Sequence, residues 1–451
     1  MNLIPKPNIA LISLGCSKNL VDSEVMLGLL AEAGYPIVEE IADASVAIVN
    51  TCAFIEAAQE EAVDALLDLA EMKSQGLLDA IVCAGCLPQR YGPDLAAQFP
   101  EIDTFVQIGA ELRIVEVVGA AITGSRAFFA AADGYALTAE LPRWRSAPEW
   151  LSYIRIADGC DHPCSFCTIP SIRGGRRSRE AADVLAEYER LVAQGVKEIL
   201  LIAQDTTAYG RDLQPPANLA GLLRLLAPVC FDGWTRLMYA YPAAVDEDLL
   251  QAVAQFPAMV HYLDIPLQHA SGSVLRRMRR PGNADDYLRL LETARGIIPD
   301  LAIRTTFIVG FPGETESDFQ QLLDFVVEAR LDRVAAFVFS PEEGTPAALL
   351  PDQISVHEAL GRLEELMQVQ ESVSHELNSA LVGTRMRLLL ERKADDSDTW
   401  FARSYRDAPE VDCEISLQLD ADAQPPQIGA FYEAEITDAE IHDLAARLLP
   451  R

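Results

Sequence analysis

No run in this 451-residue sequence reaches the ~20 consecutive apolar residues that a bilayer-crossing helix needs. The opening Met1-Asn2-Leu3-Ile4-Pro5-Lys6 has neither a basic start followed by an apolar stretch nor a small-residue cleavage site, so no export signal is expected. The expectation is a soluble, cytoplasmic protein without membrane contact. Basic residues are scarce: 36 Lys and Arg stand against 68 Asp and Glu, a formal balance of −32. Such a chain repels free nucleic acid over most of its surface and attracts basic partners, although acidity of this kind also serves plain solubility. Tandem repeats and low-complexity tracts are absent. Nine cysteines, an odd count in a large unexported chain, argue against disulfides and for metal or reactive chemistry.

What is present suffices for large cores. Half the residues are hydrophobic and 23% are charged, a globular composition. At ~150 residues per domain the length suggests about three domains. From residue 8 to about 120, short apolar strands (8–15, 45–50, 80–84 and 104–108) alternate with helical stretches such as 21–33 and 55–73. That α/β alternation predicts a doubly wound parallel sheet covered on both faces. Residues 120–150 lose the rhythm and read as a linker with a hairpin. A second series follows, with strands at 153–157, 199–203, 236–240, 260–265, 303–309 and 334–339, and helices such as 179–193, 244–254 and 316–329. Six βα units are two short of a TIM barrel, so an open, partial (βα)6 barrel is expected. An amphipathic helix spans 355–381. Short alternating segments at 385–390, 400–404, 413–417 and 432–436 then predict a small antiparallel β-barrel or sandwich. The expected divisions are 7–121, 146–379 and 380–448.

Six of the cysteines fall into two sets. Cys160, Cys164 and Cys167 form a tight set just beyond the first strand of the second series, where a barrel places its active-site loops. Thiolates this close can take three corners of a 4Fe–4S cube and leave the fourth iron without a protein ligand. Zinc completed by His162 is the alternative, but His162 between Cys160 and Cys164 strains a tetrahedral site. Cys16, Cys52 and Cys86 form a spread set, 36 and 34 residues apart. Each stands at or just past the end of an apolar strand, and ligands collect outside the carboxyl ends of open parallel sheets. These three can converge on a second cluster; three unrelated buried cysteines is the other reading. Cys83, Cys230 and Cys413 lack that placement and are assigned to packing. An iron with an open position can activate a ligand, and radical chemistry from S-adenosylmethionine (SAM) is one such use.

The run Cys160-Asp161-His162-Pro163-Cys164-Ser165-Phe166-Cys167 resembles the radical SAM signature. Together with Gly15-Cys16-Ser17-Lys18-Asn19, Asn50-Thr51-Cys52, Gly85-Cys86-Leu87-Pro88, Gln204-Asp205-Thr206-Thr207, Asp264-Ile265-Pro266-Leu267-Gln268-His269 and Gly310-Phe311-Pro312-Gly313-Glu314, it resembles the methylthiotransferases over roughly residues 8–445. Within them it is similar to the branch that modifies an aspartate of small-subunit ribosomal protein twelve. The tRNA branch usually has Gln-Met-Asn where this chain has Ser17-Lys18-Asn19.

The resemblance implies a cluster domain, a radical SAM core and a C-terminal TRAM domain, with two 4Fe–4S clusters and SAM as cofactors. Cys160, Cys164 and Cys167 would carry the cluster that binds and reductively cleaves SAM. Cys16, Cys52 and Cys86 would carry the one that holds the sulfur species for the β-carbon of the target aspartate. A further SAM would donate the methyl group, and no side chain is expected as acid or base. Phe166 is implied beside the adenine, or in packing. Gln204 is implied at the amino end of SAM, or in the barrel rim. The Gly310–Glu314 turn is expected to let backbone approach the adenosine, and the arginine runs at 173–179 and 276–280 to form solvated faces.

From residue 380 onward, 8 Lys and Arg stand against 15 Asp and Glu, a balance of −7. A domain that grips tRNA needs a positive footprint, whereas a negative one suits a basic ribosomal protein. The expected partners are that protein, free or in the ribosome, and an electron-donor protein, with direct nucleic-acid binding subordinate and the chain a monomer. Two alternatives stay open: methylthiolation of a tRNA adenosine, and a non-catalytic metal-bearing module that binds RNA or the ribosome.

Overall fold

Strands β1 (Ile9–Ser13), β2 (Val46–Thr51), β3 (Ala80–Gly85), β4 (Thr104–Gln107) and β5 (Ala127–Phe129) pair in that order, every ladder parallel. The coordinates are a computed structural model that describes residues 6–130, 137–395, 397–419 and 425–450. β2 and β3 are buried along their whole length, which is why they read as unbroken apolar runs. Helices α1 (Ser17–Glu32) and α4 (Ile114–Ile122) cover one face through Met26, Leu30, Ile114 and Val117. α2 (Glu56–Ser74) and α3 (Cys86–Gln98, interrupted at Gly92) cover the other through Ala62, Leu66, Leu69 and Leu95. The doubly wound sheet is thus present. A parallel bridge from Ile9 to Ile37 carries the chain to the far side of β1 before it returns to β2. β1 therefore sits at a switch in strand order, where ligands gather outside the carboxyl ends.

Two expectations are corrected here. α1 begins at Ser17, directly after Cys16, because the polar residues of its first turn are buried between layers rather than solvated. Residues 127–129 form a fifth parallel strand, not part of a hairpin: Phe129 enters the core and Phe128 stacks 6.2 Å from Phe105. Residues 131–136 lie outside the described ones.

The second series gives β6 (Leu151–Arg155), a small antiparallel pair β7 (Ala157–Asp158) and β8 (Arg177–Ser178), then β9 (Glu198–Ile202), β10 (Trp234–Leu237), β11 (Tyr262–Asp264), β12 (Ala302–Val309) and β13 (Arg333–Val338). The six barrel strands form two parallel sheets, β10-β9-β6 and β11-β12-β13. A Thr235–Met259 bridge and the Ala240 N–H donated to the Asp264 carbonyl (2.9 Å) join them. Helices α5 (Ile169–Arg173), α6 (Ala181–Ala193), α7 (Leu219–Leu226), α8 (Glu247–Gln255), α9 (Gly272–Arg277), α10 (Ala284–Ile297), α11 (Glu316–Ala329) and α12 (Val356–Ser379) complete the region. Thr315 and Asp318 close the α11 N-terminus with a reciprocal capping box. At the Gly310–Glu314 turn, Gly310 allows close packing: a Cβ on it would lie 2.4 Å from the Ala359 Cβ of α12.

The C-terminal strands β14 (Arg385–Lys393), β15 (Trp400–Arg403), β16 (Ile415–Gln418), β17 (Phe431–Ala439) and β18 (Leu444–Leu448) close a barrel in the order β14-β15-β16-β18-β17. Four ladders are antiparallel, as expected, but β16 and β18 run parallel, so the closure is mixed. The loop after β15 floors the larger barrel at the starts of its strands. Glu198 takes Arg403 and Arg236, Arg333 holds Asp407 at 2.7 Å, Arg304 holds Asp412 at 3.1 Å, and the Tyr262 hydroxyl donates to Asp412 at 2.6 Å. With the floor sealed by charge pairs, the carboxyl ends of the strands are left for ligands.

Candidate functional site

At those carboxyl ends the barrel faces the carboxyl ends of the N-terminal sheet across one cavity of about 360 Å³. All six cysteines of the two sets line it, as do Phe166 and Gln204. Cys16 follows β1, Cys52 follows β2 and Cys86 opens α3 after β3, so parallel strands deliver three loops to one place. The approach is close: Gly15 has φ +88°, and a Cβ there would lie 2.6 Å from the Cys52 Cβ. Cys160, Cys164 and Cys167 lie in the loop between β7 and α5.

Burial pushes the Cys86 and Cys167 thiols up to about 12, against the opposing pull of Arg173 on Cys86 and of the Ile169 N–H on Cys167. A thiolate in such a place needs a metal to hold its charge. Within each set the thiols act electrostatically on one another: Cys16 on Cys52, both on Cys86, Cys164 on Cys160, and both on Cys167. Yet among the described residues no three of His, Cys, Asp and Glu close around a single ion. Donors reach the sulfurs, with the Ile169 N–H 3.4 Å from the Cys167 Sγ and the Arg280 Nη1 3.7 Å from the Cys164 Sγ, contacts that also tune an iron–sulfur centre.

Gly159, before Cys160, has φ +78°, and a Cβ there would meet the Gly175 carbonyl oxygen at 2.3 Å. The Cys160 N–H donates to the Gly174 carbonyl at 3.1 Å, so the cysteine loop is pinned at this crossing. Gly159→Ala is expected to cost about 1–3 kcal/mol and to swing Cys160 off its station. Lower iron per chain after anaerobic reconstitution and a lower unfolding midpoint check this.

Gln204 donates its amide to the Asp158 Oδ1 at 3.0 Å, while its own carbonyl oxygen is buried without a partner among the described residues. Phe166 meets Phe311 edge-on at 6.4 Å. Sequence reasoning missed several neighbours. His162 stacks on Tyr241 at 3.8 Å and pairs with Asp205 at 2.7 Å. Arg173, expected on a solvated face, is buried: it donates to Asn19 at 2.7 Å and pairs with Asp22 and Asp158, both at 3.1 Å. Asn19 in turn donates to the Leu14 and Thr51 carbonyls beside the Cys16 and Cys52 loops. Arg179 and Arg280 are buried too, whereas Arg276, Arg277 and Arg279 are exposed as expected. Of the cysteines assigned to packing, Cys83 is fully buried, Cys413 half-buried, and Cys230 exposed, a correction.

A partial six-stranded barrel with three thiols on its first loop, facing a second set of three, is the architecture of a radical SAM protein with an added cysteine-bearing domain. Residues 154–326 match the Radical SAM superfamily, 8–107 the uncharacterized protein family UPF0004, and 382–449 the TRAM domain. Among solved structures, the radical S-adenosylmethionine methyltransferase TsrM of Kitasatospora setae shares the fold, with TM-score 0.54, 16% identity, and coverage of 87% of this chain and 79% of that one. The chain is 42% identical over 451 residues, all of both proteins, to the ribosomal protein uS12 methylthiotransferase RimO of Trichlorobacter lovleyi. It is 44% identical to the protein of that name from Desulforudis audaxviator, covering 98% of this chain and 97% of the relative. The chain belongs to the ribosomal protein uS12 methylthiotransferase family. SAM and 4Fe–4S clusters are the cofactors of this membership, and the donor set fits them: soft thiols in two sets of three around one cavity, with a buried orphan acceptor at Gln204.

Proposed function

We propose that this enzyme inserts a methylthio group at the β-carbon of an aspartate of small-subunit ribosomal protein uS12. Cys160, Cys164 and Cys167 hold one 4Fe–4S cluster, and Cys16, Cys52 and Cys86 hold the other. The observation that carries this reading is that both sets line one cavity, so a substrate side chain entering it reaches both. When bound, the clusters and SAM supply a one-electron cleavage of the sulfonium and a sulfur for transfer. The protein's part is placement. With SAM bound, the unpartnered Gln204 carbonyl oxygen would accept from its amino group, and Phe166, on the same cavity, would pack beside its adenine. Phe54, Phe166, Ile169 and Ile172 give the cavity apolar walls that keep water from reactive species. Arg173 locks Asn19, and through it the loops of Cys16 and Cys52.

Charge supports the choice of partner. A balance of −32 favours encounter with a basic ribosomal protein and opposes tRNA. The enzyme acts as a cytoplasmic monomer that draws electrons from a donor protein. Anaerobic reconstitution with iron, sulfide and reductant, then incubation with SAM and a peptide bearing the target aspartate, is expected to give a mass gain of SCH3 in place of H. Methylthiolation of a tRNA adenosine with none of the peptide would overturn the reading, and absence of SAM cleavage would leave a binding module instead.

A further inference from the structure

Three cations line the cavity among the described residues: Lys18, Arg173 and Arg280. Two are committed. Arg173 is ion-paired with Asp22 and Asp158; Arg280 makes no ion pair among the described residues and its Nε is unpartnered, but it donates to the Pro266 carbonyl at 2.7 Å, points Nη1 at the Cys164 Sγ at 3.7 Å and lies over the Tyr241 ring. Lys18 is not. Its side chain is buried and its ammonium sits 3.0 Å from the centroid of the Tyr239 ring. It makes no ion pair among the described residues.

The ring beneath it is deliberately placed. Tyr239 has φ +60°, a left-handed backbone that bulky residues rarely adopt, and is pinned there. Its N–H donates to the Asp264 Oδ2 at 3.0 Å, and its carbonyl accepts the Thr206 N–H at 3.1 Å. Lys18 comes from the N-terminal domain, two residues after Cys16, and Tyr239 from the loop after β10. The pair therefore spans the seam between the two cysteine sets. A cation stripped of water on an aromatic face is primed for an anion that replaces the lost hydration.

We infer that Lys18 receives the side-chain carboxylate of the substrate aspartate and sets the preference for that residue. This rests on the function proposed above. The carboxylate is one bond from the β-carbon to be modified, so its anchor must lie in the cavity that both cysteine sets line. A carboxylate approaching a chain of net charge −32 is repelled unless a local cation meets it. Lys18 is the cavity cation whose charged group has neither an ion pair nor a hydrogen bond among the described residues, whereas Arg280 is tied to the Pro266 carbonyl and the Cys164 sulfur.

The test uses reconstituted holoenzyme and target-loop peptides of uS12 carrying Asp or Asn at the modified position. Wild type is expected to bind the Asp peptide at least about 10-fold tighter than the Asn peptide. Lys18→Met should bind both equally and lose about 30-fold or more in kcat/KM on the Asp peptide. Lys18→Arg should keep the preference. Iron and sulfide content report whether both clusters assemble, and Lys18→Gln repeats the comparison if the Met variant loses iron. A Lys18 variant with full iron and an unchanged Asp preference overturns the inference, as does a wild type that binds both peptides equally while modifying the Asp one. A wild type that never modifies the Asp peptide overturns the functional reading itself.

Discussion

Cys52→Ala is expected to halve the bound iron and reduce methylthio transfer to background while SAM is still cleaved, whereas Cys164→Ala abolishes both reactions. The asymmetry follows from the separation of the two sets. Thiols within a set act on one another electrostatically, and the two sets stand on different parts of the fold: Cys16, Cys52 and Cys86 at the ends of β1, β2 and β3, and Cys160, Cys164 and Cys167 in the loop between β7 and α5. Each set is therefore expected to take up its cluster without the other. Cys52 is buried, with its Cβ against Gly15, and a methyl group in its place leaves no donor at that corner. Losing an outer hydrogen-bond partner of a metal ligand costs ~10–100-fold, and losing the ligand itself costs more. Iron analysis, deoxyadenosine release and product mass separate the two variants. Equal loss of SAM cleavage in both would mean that the N-terminal set is needed for the radical step, contrary to the division of labour proposed here.

The parts of this molecule that could be read in the sequence are those with a local signature. β2 and β3 are buried on both faces, so each is an unbroken apolar run that cannot be mistaken for a surface strand. The cysteines stand where strands end, a position that parallel topology turns into convergence without any knowledge of loop paths. β18 and the parallel β16–β18 ladder were hidden because Leu444–Leu448 includes the exposed Arg447 and is too short to pattern by itself. The arginine run at 173–179 misled for a deeper reason. Charge along a chain looks like solvent exposure, and only a distant partner shows otherwise: Arg173 meets Asp22 and Asn19 from another domain. Lys18 has no local signature beyond its place in Ser17-Lys18-Asn19, since the tyrosine beneath it lies far along the chain.

The same blindness covers the barrel floor, where the second large effect lies. Glu198→Ala is expected to destabilise the protein by about 3–5 kcal/mol, because it leaves two buried guanidinium groups short of their counter-charge. Glu198 is fully buried at the start of β9 and takes Arg236 at 2.7 Å and the TRAM-region Arg403. Without it, Arg236 keeps only the Tyr405 carbonyl and the Tyr262 ring, with one guanidinium nitrogen already unpartnered, and Arg403 keeps the half-buried Glu391 and the Asp407 carbonyl. Burial alone would raise the Glu198 pKa; Arg403 and Arg236 outweigh it and hold the carboxyl below the ordinary glutamate range. A depressed folded value means that the stabilisation is complete above the unfolded pKa and is lost as pH falls through the folded one. The gap between wild type and Glu198→Ala should thus be full at neutral pH and shrink only in acid below the usual carboxylate range. Urea unfolding at several pH values measures it. Glu198→Gln, which keeps an acceptor but not the charge, should fall between the two. The floor lies at the far end of the strands from the cysteines, so SAM cleavage by folded Glu198→Ala at low temperature should match wild type. A variant as stable as wild type would mean that the C-terminal barrel is seated by its apolar contacts, chiefly Trp234 against Phe431 at 4.8 Å, and that the charge pairs only set its register.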